Sequence, residues 1–188
     1  MKSEQRDRIY QECIEQLGYE IISPLQLDNR AVYVVSNGEM VVAKLGSPRF
    51  PKSANQIRTE GKALGIAQGI SGVVQKISYH QVFHPEAKIY VLIREYIDGV
   101  NLGERGVYLD REQQSMLENT VLALHGRGIT NLDLYYGNVV INQEGFPHLF
   151  DLGLVKFREQ SYRDHQLYAK EDLADLQKLF TDFRAPEA

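Results

Sequence analysis

The chain has 188 residues, of which 43% are hydrophobic and 24% are charged, a composition typical of a soluble globular protein with one domain or two small lobes. Its one cysteine, Cys13, excludes an internal disulfide framework and offers no zinc-type spacing. The net charge of −4, without any block of Lys or Arg, argues against a nucleic-acid partner, and the apolar runs are far too short to span a membrane.

The first half of the chain is predicted to be rich in strands. Apolar residues that recur every four positions predict an amphipathic helix over 4–17. Ser53, with Gln56 three residues later, is typical of a capping box and predicts that a second helix opens there. The Asn37-Gly38 pair indicates a hairpin. Runs of β-branched and aromatic residues predict strands over 21–27, 31–36, 39–45, 73–81 and 88–95.

The second half is predicted to be mainly helical. Asp110 and Gln113 are typical of a helix start, and the apolar stripe that follows them ends at Gly126. A final helix is predicted over about 170–183, and two short strands over 139–141 and 146–150. The change from strands to helices falls near Asp98-Gly99, so the sequence predicts an α+β fold with a boundary there.

Three polar residues suggest a catalytic site around a hairpin formed by the predicted strands 139–141 and 146–150. Asp133 lies five residues before Asn138, which opens a β-branched strand, and Asp151 follows the next strand. The hairpin should bring Asn138 and Asp151 together, and their oxygens suit a hard cation such as Mg²⁺. Asp133 would then be left to take a proton from a substrate hydroxyl. Each residue alone could be a turn or cap residue, but their order around one hairpin favours the functional interpretation.

Lys44 and Glu60 are the second candidate pair. Strand alternation places Lys44 in an apolar row, and Glu60 lies in the middle of an apolar helical stripe. Either charge would be costly to bury without a partner, so we expect the two to form an ion pair. The alternative is a lysine whose ammonium reaches water, with Glu60 at the margin of its stripe.

These motifs resemble the protein-kinase-like superfamily, especially its small atypical members, the RIO-type and the lipopolysaccharide (Kdo-type) sugar kinases. The segment GITNLDLYYGNVVI looks like their catalytic loop, HLFDLG like their metal-binding segment, and VLIREYIDG like the hinge that clasps adenine. The resemblance spans about 20–183. It implies one bilobal kinase-like domain over 1–188, with a strand-rich N-lobe over about 1–96 and a truncated helical C-lobe over about 99–188.

The resemblance also implies a role for each matching residue. ATP would be bound with Mg²⁺ or Mn²⁺. Asp133 would be the catalytic base, Asn138 and Asp151 would hold the metal, and Asp172 would support the catalytic loop from below. Lys44 would contact the α- and β-phosphates, oriented by Glu60. The adenine would lie against the hinge residues Glu95, Tyr96 and Ile97.

Four features depart from the family pattern. The phosphate-covering stretch 25–33 contains no glycine, so Arg30 or the side chain of Asn29 would have to replace backbone amide contacts. Asn131-Leu132 stands where the family has His-Arg or His-Gly. Arg94 occupies a position that is normally apolar, at the back of the adenine pocket. Only 21 positions separate Asp151 from Asp172, which predicts a short activation segment and no platform for docking a peptide.

The function predicted from these features is a minimal protein serine/threonine kinase. A kinase for a small molecule, sugar or lipid head group is the second hypothesis, and a pseudokinase scaffold the third. The N-terminus has no apolar h-region, so no Sec-type signal peptide is expected. Both a cytoplasmic kinase and a secreted effector acting on a host protein remain open.

Overall fold

The computed structural model describes residues 3–27, 31–104 and 106–184. The chain is an α+β protein whose contacts divide it into two compact units. The first comprises the described residues up to Lys62 together with Gln75–Tyr96, and the second comprises Ala63–Val74 with the described residues from Ile97 onward. No helix within these described ranges is long and apolar enough to cross a membrane.

The first unit is built on an antiparallel sheet of five strands in the order β1-β2-β3-β5-β4. Its helices are α1 (Ser3–Gln16) and most of α2 (Pro51–Ile66). The strands are β1 (Glu20–Leu27), β2 (Ala31–Ser36), β3 (Met40–Gly46), β4 (Lys76–His84) and β5 (Ala87–Glu95).

The two faces of this sheet carry different kinds of side chain. Helix α1 contributes Ile9, Tyr10 and Cys13 to a buried apolar cluster with alternate residues of β2, β3 and β5. The residues between them point to the other face, since side chains alternate along a strand. There Lys44 stands opposite Leu92 and Val42 opposite Arg94 across the β3–β5 ladder. The sheet therefore brings two buried cations, Lys44 and Arg94, to one face.

The second unit contains α3 (Arg111–Gly126) and α4 (Tyr162–Asp182). Two small antiparallel sheets lie with them. One has the order β6-β8-β9, formed by Gly99–Asn101, Val139–Asn142 and Pro147–Leu149, and the other pairs β7 (Ile129–Thr130) with β10 (Lys156–Phe157). The β8–β9 hairpin and the β7–β10 pair flank the segments that carry the candidate catalytic residues.

Most predicted elements are present, and three of their starts were wrong by two residues or more, those of α2, β4 and α4. Helix α2 begins at Pro51 and not at Ser53, because proline suits the first position of a helix, where no N–H is needed. Strand β4 begins at Lys76 and not at Val73, because Val73 forms a bridge with Leu149 in the second unit instead. The hairpin predicted at Asn37-Gly38 is confirmed.

The largest error concerns the last helix. We predicted its start near residue 170, whereas α4 begins at Tyr162, capped by the Ser161 hydroxyl, which accepts a hydrogen bond from the Asp164 N–H. The first two turns are mostly exposed and polar, so they lack the apolar stripe on which the prediction depended. Helix α4 therefore covers half of the span between Asp151 and Asp172.

The capping box of α3 gives a stability prediction. Asp110 Oδ1 accepts a hydrogen bond from the Gln113 N–H at 2.8 Å, and Gln113 Oε1 accepts one from the Asp110 N–H at 3.0 Å. Asp110→Ala should lower the free energy of unfolding by about 1 kcal/mol in urea titration. Glu118→Ala, an exposed change in the middle of the same helix, serves as the control. Equal stability of the two variants would contradict the role of the cap.

Candidate functional site

The loop between β7 and β8 carries Asp133 and Asn138. Asp133 is exposed, whereas Asn138 is 3% exposed. The Asn138 Nδ2 group donates a hydrogen bond to the Asp133 carbonyl oxygen at 3.0 Å and lies 3.4 Å from Asp133 Oδ2. The amide therefore joins the two ends of the loop and holds one carboxylate oxygen of Asp133 in place.

Asp151 lies at the same end of the β8–β9 hairpin. Asn138 immediately precedes β8, and the Phe150 N–H donates to the Asn138 carbonyl oxygen at 3.2 Å. Val139 and Leu149 are paired across the hairpin. The predicted proximity of Asp133, Asn138 and the segment of Asp151 is thus present in the second unit, while their catalytic and metal-binding roles stay predictions.

Backbone strain is concentrated in these two segments. Among the described residues, the non-glycine positions with positive φ are Asn131 at 60°, Asp133 at 53° and Asp151 at 63°. A left-handed conformation costs an L-residue of order 1–3 kcal/mol and persists where the surroundings enforce it. Such strain clusters at functional sites. Asp133 and Asp151 were chosen from the sequence pattern alone, so their strained backbones are an independent observation in favour of the site.

The carboxylate of Asp172 holds the strained loop. It is 3% exposed and accepts hydrogen bonds from the N–H groups of Asn131 at 2.9 Å and Leu132 at 2.8 Å. His125 Nε2 lies 2.9 Å from the same carboxylate. The predicted place of Asp172 beneath the loop is confirmed. The contact of His125 was not predicted, because it depends on the packing of α3 against α4.

Asn131 explains one departure from the family pattern. Its Nδ2 group donates to the Leu154 carbonyl oxygen at 2.8 Å, three residues beyond Asp151. Asparagine also tolerates positive φ better than most residues do. Asn131 therefore connects the loop of Asp133 to the segment of Asp151, a contact that sequence spacing does not reveal.

The ion pair predicted in the first unit is present. Lys44 Nζ lies 2.5 Å from Glu60 Oε2, and the two residues are 3% and 0% exposed. Arg94, 7% exposed, places its Nε atom 3.9 Å from Glu60 Oε1. From the sequence, Arg94 was noted only as a departure from the kinase-like pattern. A charged residue within an apolar strand is nevertheless itself a sign of a buried partner.

The remaining predicted nucleotide contacts are less fully described. Glu95 ends β5, and its Oε1 atom accepts a hydrogen bond from the Gln75 N–H at 2.8 Å. Tyr96 and Ile97 follow in irregular backbone and are half-buried. Arg30 lies outside the described residues. The binding roles of these four residues stay predictions.

Comparison with known proteins adds one distant relative. No family model matches the chain. The chain is 31% identical over 99 residues to CBL-interacting protein kinase 9 of Oryza sativa subsp. japonica. The match covers 49% of this chain and 22% of that protein. It indicates a kinase-like relationship, and the chain spans about a fifth of the relative's length.

The support of the loop by Asp172 can be tested by stability. Asp172→Ala would leave one buried backbone N–H group, that of Leu132, and one part-buried group, that of Asn131, without their acceptor. The buried group alone costs roughly 1–3 kcal/mol, so we expect the free energy of unfolding in urea to fall by at least about 1–3 kcal/mol. Asp175→Ala, an exposed aspartate on the same helix, should stay within about 0.5 kcal/mol of the parent. A loss no greater than that of the control would contradict the proposed support.

Proposed function

We propose that the chain is an ATP- and Mg²⁺-dependent phosphotransferase, with a serine or threonine hydroxyl of a protein as the favoured acceptor. The observation that carries the proposal is the exposed carboxylate of Asp133 on a strained loop, tied to Asn138 and supported by buried Asp172. The distant relative is named a protein kinase, which supports a protein acceptor over a small molecule.

Asp133 is assigned the role of general base. The acceptor hydroxyl attacks the γ-phosphorus of ATP, the bond from that phosphorus to the bridging oxygen breaks, and ADP leaves. The hydroxyl proton passes to the Asp133 carboxylate. Because Asn138 Nδ2 lies near Oδ2, the other oxygen, Oδ1, is the atom assigned to the hydroxyl. The loop thus supplies orientation as well as a proton acceptor.

The donor set at the end of the β8–β9 hairpin fits Mg²⁺. Asn138 directs its Nδ2 group at Asp133, so its amide oxygen is the atom suited to a cation, and Asp151 offers a carboxylate. Mg²⁺ is held in proteins by one or two such oxygens together with substrate phosphates. When bound, the cation neutralises charge on the transferring phosphoryl group. Lys44, oriented by Glu60, is assigned to the α- and β-phosphates, and 95–97 to the adenine.

The role of Asp133 predicts a large loss of turnover. Asp133→Asn preserves size but cannot accept the proton, so transfer of label from γ-labelled ATP should fall about 100-fold or more. Turnover is measured with a cell lysate as the source of acceptors, and protein-bound label is separated from label on small molecules. Asp175→Asn is the matched control, and both variants should unfold at nearly the parent temperature.

Each result of this assay has a defined meaning. Turnover of Asp133→Asn within about threefold of the parent, under ~1 kcal/mol of barrier, would show that Asp133 is not the base. Label on a small molecule and not on protein would favour the second hypothesis, a small-molecule kinase.

The metal role of Asp151 predicts a change in nucleotide binding. Calorimetric titration of the parent should show tighter ATP binding with Mg²⁺ or Mn²⁺ than in EDTA, because a cation held by the Asp151 carboxylate would attract the phosphates. Asp151→Asn should remove most of that difference, and Asp175→Asn should keep it. Equal affinity of the parent for ATP with and without metal would support a pseudokinase scaffold instead.

A further inference from the structure

The two carboxylate oxygens of Glu60 have different surroundings. Oε2 accepts the hydrogen bond of Lys44 at 2.5 Å. Oε1 is fully buried and accepts no hydrogen bond. The cation beside it is the guanidinium of Arg94, with Nε at 3.9 Å. Burying a carboxylate oxygen without a compensating partner is costly. The positive charge of the guanidinium lowers that cost for Oε1.

The sheet register fixes Arg94 in this position. Arg94 pairs with Val42 on β3 and with Lys76 on β4, and it shares a sheet face with Lys44 two residues along β3. Its Nη1 group also donates to the Glu95 carbonyl oxygen at 3.3 Å. Arg94 thus connects Glu60 with the first residue of the segment assigned to the adenine.

We propose that Arg94 is a positioning residue that acts on Lys44 through Glu60. The terminal torsion of a glutamate is broad and weakly restrained by itself. With Lys44 on one oxygen and Arg94 facing the other, the carboxylate plane is held, and the direction of the Lys44 ammonium is held with it. The inference rests on the proposed function, because it concerns the lysine assigned to the phosphates.

A cycle of substitutions separates this role from simple packing. We would measure kcat and KM for ATP, together with the melting temperature, for the parent, Arg94→Met, Glu60→Gln and the double variant. Arg94→Met should lower kcat roughly tenfold, the factor that 1.4 kcal/mol of barrier gives. In the Glu60→Gln background the same change should alter kcat less than about twofold, because the charge through which Arg94 acts is gone.

Two further variants sharpen the comparison. Arg94→Lys keeps a cation near Oε1, so its kcat should lie between those of Arg94→Met and the parent. If Arg94→Met does not fold, Arg94→Lys takes its place in the cycle. Lys76→Met is the matched control. Lys76 lies on β4 opposite Arg94. Its Nζ donates to the Gly61 carbonyl oxygen at 3.3 Å, so it contacts the backbone of α2 next to Glu60 and not the Glu60 carboxylate. Its kcat should stay within about twofold of the parent in either background.

The results distinguish failure of the inference from failure of the proposed function. If the parent transfers phosphate but the losses from Arg94→Met and Glu60→Gln simply multiply, Arg94 does not act through Glu60. A kcat of Lys76→Met as low as that of Arg94→Met would equally reduce Arg94 to a packing role. If the parent transfers no label to any acceptor, the proposed function is wrong, and the inference is overturned with it.

Discussion

The hydrogen bonds from the backbone of Asn131 and Leu132 to Asp172 are the constraint on which the loop that carries Asp133 depends. Asn131 and Asp133 both have positive φ, so this backbone cannot continue the β7 strand or enter a helix. Its N–H groups therefore need another acceptor, and a buried backbone donor without one costs as much as a lost hydrogen bond. A helix that places a carboxylate beneath the loop meets that need and keeps Asp133 at the surface.

The first unit also contains a buried carboxylate that orients its neighbours. Glu60 of α2, like Asp172 of α4, is a buried carboxylate carried by a rigid helix. Asp172 orients backbone N–H groups, whereas Glu60 orients the side-chain cations Lys44 and Arg94. In both cases a carboxylate that is costly to bury is stabilised by hydrogen bonds or charges from a neighbouring strand or loop. These contacts also restrict the conformations of the groups that make them. Each helix thus positions candidate groups that lie on a neighbouring strand or loop.

The sequence predicts these arrangements where the contact follows from periodicity. Alternation along β3 and the stripe on α2 place Lys44 and Glu60 on apolar faces, and the motif around Asp133 then favours an ion pair between them over a lysine that reaches water. The spacing of Asp133 and Asn138 is enough to place them at the two ends of one loop. The place of Asp172 followed from the resemblance alone, and two further features were not predicted. His125 reaches Asp172 only because α3 and α4 lie side by side, and the start of α4 was missed because its first turns carry no apolar stripe.

Two departures from the kinase-like pattern that the sequence resembles have physical consequences of their own. Asn131, at the position where that pattern has histidine, suits positive φ and donates to the Leu154 carbonyl oxygen. Arg94, at a position that is apolar in that pattern, faces the oxygen of Glu60 that Lys44 leaves without a hydrogen bond. Each substitution adds a polar contact next to a candidate catalytic residue. In both places a side chain, and not the backbone, supplies the contact.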